Sequence, residues 1–341
     1  MAGIGVVGTG HWGKNHARAY KELEAEGLIG VVKICDQDAT RARDLADRLS
    51  VPMVTDYRDL ISDPDVDAVS IATPSATHFR IARDFMEAGM DVLVEKPMTM
   101  DREEAKELVR ISEENGSILM AGHIFRYHPA VRELKARIDA GELGTVQSII
   151  SNRLDFGLPR RDMGVIYALG IHELDMFCHM LNRDYPDRLV ATSSTAFRSG
   201  VEDTCMIAMD FGGVKGYAFE SWLVSAYGKK RDLVVMGSEK SGRIDYLNPT
   251  ELHLFNAKIL VEDGEPVGVE DGGEEVVSIS YAEPLKEELK HFISSVEGKH
   301  VPDSDGTVGM RAVVMAEGAL RSSMKNRFVR FEDDSYIEEC V

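Results

Sequence analysis

Cysteine is scarce in this 341-residue sequence, and its four copies, Cys35, Cys178, Cys205 and Cys340, stand far apart without C-x-x-C or comparable spacing. Neither a zinc ligand set nor a disulfide framework is therefore expected, and a reducing cytoplasm suits the chain best. Long apolar runs are missing too, with nothing approaching the roughly 20 residues of a membrane span. Strand patterning begins by Ile4, so no signal or transit peptide is expected. Basic residues are outnumbered, 39 Lys and Arg against 58 Asp and Glu, and the net charge of −19 disfavours nucleic acid and anionic membrane as partners. No internal repeat or low-complexity tract is visible. What remains, 44% hydrophobic and 28% charged, is the composition of a soluble protein with a sizeable core. At roughly 100–200 residues per domain the length argues for two domains.

From residue 3 to about 122, short apolar runs at 4–7, 31–35, 68–72, 92–94 and 118–121 alternate with amphipathic segments. Near-continuous apolar runs are the mark of parallel strands buried on both faces. Trp12, His16, Ala19 and Leu23 recur at helical spacing, as do Ala42, Leu45, Ala46 and Leu49. Gly89 closes a third helix and Asp101-x-x-Glu104 opens a fourth. This pace predicts βαβ units in a doubly wound parallel sheet, an α/β Rossmann domain over 1–122.

After about Pro129 the pattern changes. A helix with Val131, Leu134 and Ile138 precedes a strand at 145–153, and a longer helical stretch covers 165–181. Cys205, Ile207, Met209 and Phe211 then alternate with polar or small residues, and Gly212-Gly213 is a hairpin signal before 214–222. Further runs at 233–236, 243–247 and 252–255 predict an open antiparallel sheet in an α+β domain over 123–341. The stretch 262–275 holds seven acidic residues and no basic one, and is expected to be a solvated loop. Two helices follow, one through Leu285, Leu289, Phe292 and Val296, the other through Val308, Ala312, Met315 and Ala319.

Gly8-Thr9-Gly10-His11-Trp12-Gly13 is G-x-G-x-x-G between the first strand and the first helix. Gly8 permits a tight turn, Gly10 lets backbone approach a diphosphate, Gly13 allows close packing, and the helix start stabilises the anion. Asp36, ending the second strand, is placed to accept from the adenosine ribose and to repel a 2′-phosphate, which favours NAD over NADP. Arg41 and Arg43 follow closely and are read as the solvated face of the second helix, with a phosphate contact as the alternative.

Ala72-Thr73-Pro74 with His78, Glu95-Lys96-Pro97 after the fourth strand, Gly122-His123-x-Phe125-Arg126 and Gly170-Ile171-His172 together resemble the glucose–fructose oxidoreductase/inositol dehydrogenase (Gfo/Idh/MocA) family over nearly the whole chain. The resemblance implies a Rossmann domain, a second domain with a large open antiparallel sheet, and hydride transfer between nicotinamide and a sugar or polyol carbon. It also implies homodimers or homotetramers assembled through the sheet, a cis bond before Pro97, and cofactor contacts from the glycine-rich turn, Asp36, Ala72, Thr73, Pro74, His78, Glu95 and Lys96.

The resemblance makes Lys96 and His172 the catalytic residues. Alcohol oxidation needs the hydroxyl proton removed as hydride leaves, and a lysine ammonium stabilises developing alkoxide while a histidine takes the proton. Family members commonly carry Asp four residues before the histidine, where this chain has Ala168. Tyr167 or Asp175 is the expected replacement, and the change favours a nucleotide-linked sugar over inositol. Asp175 and His179 share the helix stripe of His172; no metal site is expected there. Substrate binding is assigned to Lys96, Arg126, Arg153, His172 and Asp175, with the two arginines read either as anion-binding groups or as partners of the protein's own carboxylates. The first functional reading is NAD-dependent oxidation of a secondary hydroxyl, at C3 of a nucleotide-linked sugar. The second is an inositol or free-sugar dehydrogenase, and the third a non-catalytic dinucleotide sensor, which has no need of an acid/base pair.

Overall fold

The computed structural model describes residues 1–298 and 300–339; Cys340 lies outside them. The chain forms two compact units, the first from Met1–Ile124 with Glu283–Val313, the second from Phe125–Ala282 with the residues from Val314 onward.

In the first unit β1 (Gly3–Val7), α1 (Gly13–Ala25), β2 (Val31–Cys35), α2 (Ala39–Leu49), β3 (Met53–Val54), α3 (Arg58–Ile61), β4 (Ala68–Ile71), α4 (His78–Glu87), β5 (Asp91–Glu95), α5 (Arg102–Asn115) and β6 (Leu119–Gly122) follow in order. Six parallel strands lie in the order β3-β2-β1-β4-β5-β6. Every residue of β1, β4 and β6 is buried, because helices cover both faces of such a sheet, and this is why these segments read as unbroken apolar runs. Burying each Ile, Val or Leu stabilises the unit by about 1.5–3 kcal/mol. Asp38 and Asp101 cap α2 and α5, each accepting from two backbone N–H groups.

The second unit holds α6 (Pro129–Asp139), β7 (Val146–Leu154), α7 (Ile171–Leu181), β8 (Arg188–Ser194), β9 (Thr204–Asp210), β10 (Lys215–Ser221), β11 (Lys230–Gly237), β12 (Ser241–Asp245), β13 (Glu251–Glu262) and β14 (Glu265–Ser278). After α8 (Pro284–Val296), which belongs to the first unit, and α9 (Gly306–Lys325), shared by the two, β15 (Val329–Glu332) and β16 (Ser335–Glu338) complete it. Ten strands form one sheet in the order β14-β13-β12-β11-β7-β10-β9-β8-β15-β16. It is mixed rather than wholly antiparallel, because β10 pairs with β7 in parallel.

Two further expectations change. Residues 283–313 join the first unit instead of a domain spanning 123–341: the apolar face of α8, Leu285, Leu289 and Phe292, is buried there, and Lys286 pairs with Glu26 of α1 at 2.6 Å. The acidic stretch 262–275 is no loop but the end of β13, the turn and most of β14, which pairs with β13 from Glu262 back to Leu254; Val267 and Val269 supply the alternation that its charges obscure. The helical stretch expected over 165–181 is present, with residues 166–170 forming a π turn ahead of α7. No helix among the described residues is long and apolar enough to cross a membrane.

Candidate active site

The dinucleotide turn is built as its glycines require. Gly8 has φ +91°, and a Cβ there would lie 2.8 Å from the Ala72 carbonyl oxygen. A Cβ on Gly13 would overlap the Gly8 carbonyl, whereas Gly10 has nothing within 4 Å of its Cβ direction. Two glycines thus close the turn and the middle one leaves its outer side open, the cradle a diphosphate needs. No acidic side chain occupies the first turn of α1 and none caps it, so its leading N–H groups suit an anion. His11 and Trp12 stack edge to face at 5.8 Å beside this turn, both exposed.

Asp36 is buried, and Oδ2 accepts from the Thr9 N–H and hydroxyl, both at 2.8 Å. Oδ1 accepts from the Asp38 N–H at 2.9 Å, which leaves that oxygen a lone pair for a ribose hydroxyl. Burial raises its pKa, but these donors and Arg41 outweigh burial and leave it below the ordinary aspartate value. Arg41 faces Asp36 at 3.3 Å and Asp38 at 3.1 Å.

The turns after β4 and β5 adjoin. Glu95 is the last residue of β5 and is paired with Gly122 of β6, where a Cβ would crowd its carboxyl at 3.3 Å. Its Oε1 accepts from His16 Nε2 at 2.9 Å and its Oε2 from the Lys96 N–H at 3.2 Å; His16 Nδ1 pairs with Ser70 Oγ at 2.8 Å. Burial raises Glu95, but His16, Lys96 and His78 outweigh it and hold the carboxyl below the usual glutamate range. Lys96 follows at the strand's carboxyl end, the edge where open α/β sheets bind ligands, and the Lys96–Pro97 peptide is cis. His78 is fully enclosed, with Nδ1 on the Pro97 carbonyl and Nε2 on the Thr73 carbonyl, both at 2.9 Å. Both ring nitrogens are therefore engaged with backbone, so this residue shapes the two turns and has no uncommitted ring nitrogen for a cofactor.

In the second unit α7 gathers His172, Glu173 and Asp175, all buried. The Phe125 ring meets His172 edge to face at 4.8 Å. Behind Phe125 lies the Arg153 guanidinium, 4.4 Å from its centroid and 5.0 Å from that of Tyr246. Arg153 Nε donates to Glu173 Oε1 at 2.8 Å, with a second bond from Nη2. Arg126 Nε reaches both oxygens of Asp175 at 3.0 Å. Both arginines thus take the second of their two readings, pairing with the chain's own carboxylates. Arg153, 2% exposed, has no face to offer a substrate anion. Asp175, assigned to substrate, is committed to Arg126.

The π turn before His172 is pinned by Glu202, which accepts from the Ile166 N–H at 3.1 Å with its side chain and from the Val165 N–H at 2.9 Å with its carbonyl. A Cβ on Gly164 would overlap that carboxyl. Ala168 lies inside the π turn, buried. Phe125, Glu173, Glu220 and Tyr246 were not read as site residues. Glu220 sits at an inward position of β10 in register with Arg153 of β7, a pairing that the alternation of residues along the chain does not reveal. A pair of opposite charges at matching inward positions marks a buried network. Among the described residues no group of three or more His, Cys, Asp or Glu side chains could hold a metal ion.

Residues 2–123 match the model of an oxidoreductase family with an NAD-binding Rossmann fold, and residues 131–243 match the GFO/IDH/MocA C-terminal domain. UDP-N-acetylglucosamine 3-dehydrogenase of Acidithiobacillus ferrooxidans is 31% identical over 92% of this chain and 94% of its own. A solved structure of that enzyme superposes with a TM-score of 0.79 at 28% identity, covering 94% of this chain and 96% of the other. Inositol 2-dehydrogenase of Rhizobium meliloti is 25% identical over 95% of this chain and 97% of its own.

Proposed function

The chain belongs to the GFO/IDH/MocA oxidoreductase family, and from that premise we propose that it oxidises the C3 hydroxyl of a UDP-linked sugar. Membership makes it an NAD-dependent oxidoreductase acting on hydroxyl groups. The observation that carries the finer reading is the 31% identity, end to end, with a UDP-N-acetylglucosamine 3-dehydrogenase. Ala168 in place of the Asp common in the family supports it. Arg153, which sequence alone offered as an anion ligand, adds nothing to it.

The residues present fit the cofactor: Gly8, Gly10 and Gly13 with the start of α1 would hold the diphosphate, and Asp36 the adenosine ribose. NAD, when bound, supplies the acceptor for a hydride. In our reading the Lys96 ammonium donates to the substrate hydroxyl oxygen and stabilises the negative charge that grows there. The carbon gives up its C–H bond pair as hydride, the oxygen gives up its proton to His172, and a ketone remains. Phe125 fixes the imidazole plane that receives the proton.

The test is an assay of NADH formation against UDP-N-acetylglucosamine, other UDP-hexoses, free glucose and myo-inositol. A UDP-sugar is expected to react fastest, because the remote nucleotide holds the reacting carbon in place and truncated substrates lose rate as well as affinity. Brisk turnover of inositol with no response to any UDP-sugar replaces this reading by the inositol dehydrogenase one, which the relative at 25% identity favours.

A further inference from the structure

His78 presents a problem of proton counting. Its Nδ1 lies 2.9 Å from the Pro97 carbonyl oxygen and its Nε2 lies 2.9 Å from the Thr73 carbonyl oxygen. Both partners are pure acceptors, whereas a neutral imidazole has one N–H and one lone pair. In the neutral ring one of these contacts sets lone pair against lone pair at hydrogen-bond distance. Only a ring carrying hydrogen on both nitrogens satisfies both.

The surroundings supply the matching charge. Burial outweighs the Pro97 and Thr73 carbonyls and the Glu95 carboxylate on β5, which favour the imidazolium, and puts the pKa of His78 below the ordinary histidine value; the two acceptors that face the ring nitrogens argue the other way. Glu95 in turn faces His16 of α1 and the side chain of Lys96. Glu288 of α8 also faces Glu95, and burial with that neighbour raises its pKa far above the usual value, which favours its neutral form. Two charge-assisted bonds to carbonyls, with a carboxylate close by, are what a buried cation requires.

We propose that His78 donates from both ring nitrogens at once, as a buried imidazolium, and is the positioning residue that ties the Lys96–Pro97 turn to the Thr73 turn. Loss of either bond frees one turn to move against the other, and Lys96 moves with its turn. The proposal rests on the reading of Lys96 as the group that handles the substrate hydroxyl; the ring's protonation does not.

The first arm of the test is nitrogen-15 NMR of the labelled full-length protein at neutral pH, with His78 identified by loss of its signals in His78→Gln. Both ring nitrogens are expected at frequencies of protonated imidazolium nitrogens. A pyridine-like frequency for either one overturns the proposal. The second arm is a cycle with Lys96→Ala. His78→Phe keeps the ring volume and removes both donors, and is expected to lower kcat at least about tenfold in the natural background but less than about twofold with Lys96→Ala, because displaced machinery and absent machinery do not add. Equal factors in both backgrounds mean a general structural role and overturn it. If His78→Phe fails to fold, the NMR arm on the unmodified chain decides. If Lys96→Ala alone keeps full turnover, the functional reading of Lys96 and with it the positioning role both fall, while the NMR arm still decides the ring.

Discussion

Lys96 stands directly after a buried strand, between a glutamate whose carboxylate accepts its N–H and a proline whose carbonyl accepts from His78. Held from both sides, it is expected to act through position as well as charge. Lys96→Ala should lower turnover about a hundredfold or more, the usual contribution of a positioned acid/base group, with NAD affinity nearly unchanged; a variant that keeps most of its rate makes Lys96 a bystander. Asp36 leads to a second expectation at this scale. Its carboxylate is held ionised by the Thr9 and Asp38 donors, so NAD should bind at least about tenfold more tightly than NADP, a difference of about 1.4 kcal/mol. Equal affinities by calorimetry would transfer the pocket to Arg41. The glycine-rich turn and the place of Asp36 were legible in the sequence because local spacing and strand position define them, whereas the role of Lys96 was read from the family resemblance. His78 was legible only as a motif member. Its partners, Pro97 and Thr73, come from two different turns, and no spacing rule says what a buried ring touches.

Among elements, β7 and β10 show how a charge at an inward strand position becomes a network. Arg153 and Glu220 are register partners across a parallel pair, and Arg231 of β11 is the partner of Arg153 on its other side. Arg153 gives its hydrogen bonds to Glu173 of α7, and among the described residues neither Glu220 oxygen has a hydrogen-bond partner. Burial, then the Glu173 charge, raises the Glu220 carboxyl well above its ordinary pKa, with Arg153 and Arg231 opposing. Below about pH 4.3, the unfolded value, both states hold the proton and Glu220 costs the fold nothing. As pH rises toward and through the raised folded value, the unfolded chain releases its proton first and stability is lost. Glu220→Gln, which mimics the protonated acid, should therefore raise Tm more at pH 8 than at pH 5; an equal shift at both pH values would show that Glu220 ionises normally. The strands themselves were largely visible in the alternation of hydrophobic residues. The parallel pairing of β7 with β10 was not, since alternation gives which face a residue takes and not which strand lies beside it.

For the whole molecule, periodicity identified α8 as amphipathic without saying which core would cover it, so the return of residues 283–313 to the first unit lay beyond a linear reading. The ten-stranded sheet raises the matching question of its outward positions. On β9 and β10 the inward residues Ile207, Met209 and Ala218 are buried, while Met206 is 54% and Tyr217 46% exposed. Register sets Met206 opposite Phe219 and Tyr217 opposite Ala208, so these side chains form an apolar strip across neighbouring strands. Farther along the same sheet, Ile259, Val261, Val267 and Val269 of β13 and β14 are exposed as well. Monomers rarely leave contiguous apolar patches of more than a few hundred Å² in water, and a stable interface buries about 1,200–2,000 Å² in total. A second copy of the chain is the partner that this surface and the family resemblance favour, at a net charge of −19 per chain that screening must offset. Sedimentation at micromolar concentration in physiological salt should therefore give two or four times the chain mass. Met206→Glu with Tyr217→Glu, two charges placed in the strip without disturbing inward positions, should shift the distribution to smaller species while NAD binding persists. A natural chain that sediments as a monomer at every concentration would leave the sheet to some other use.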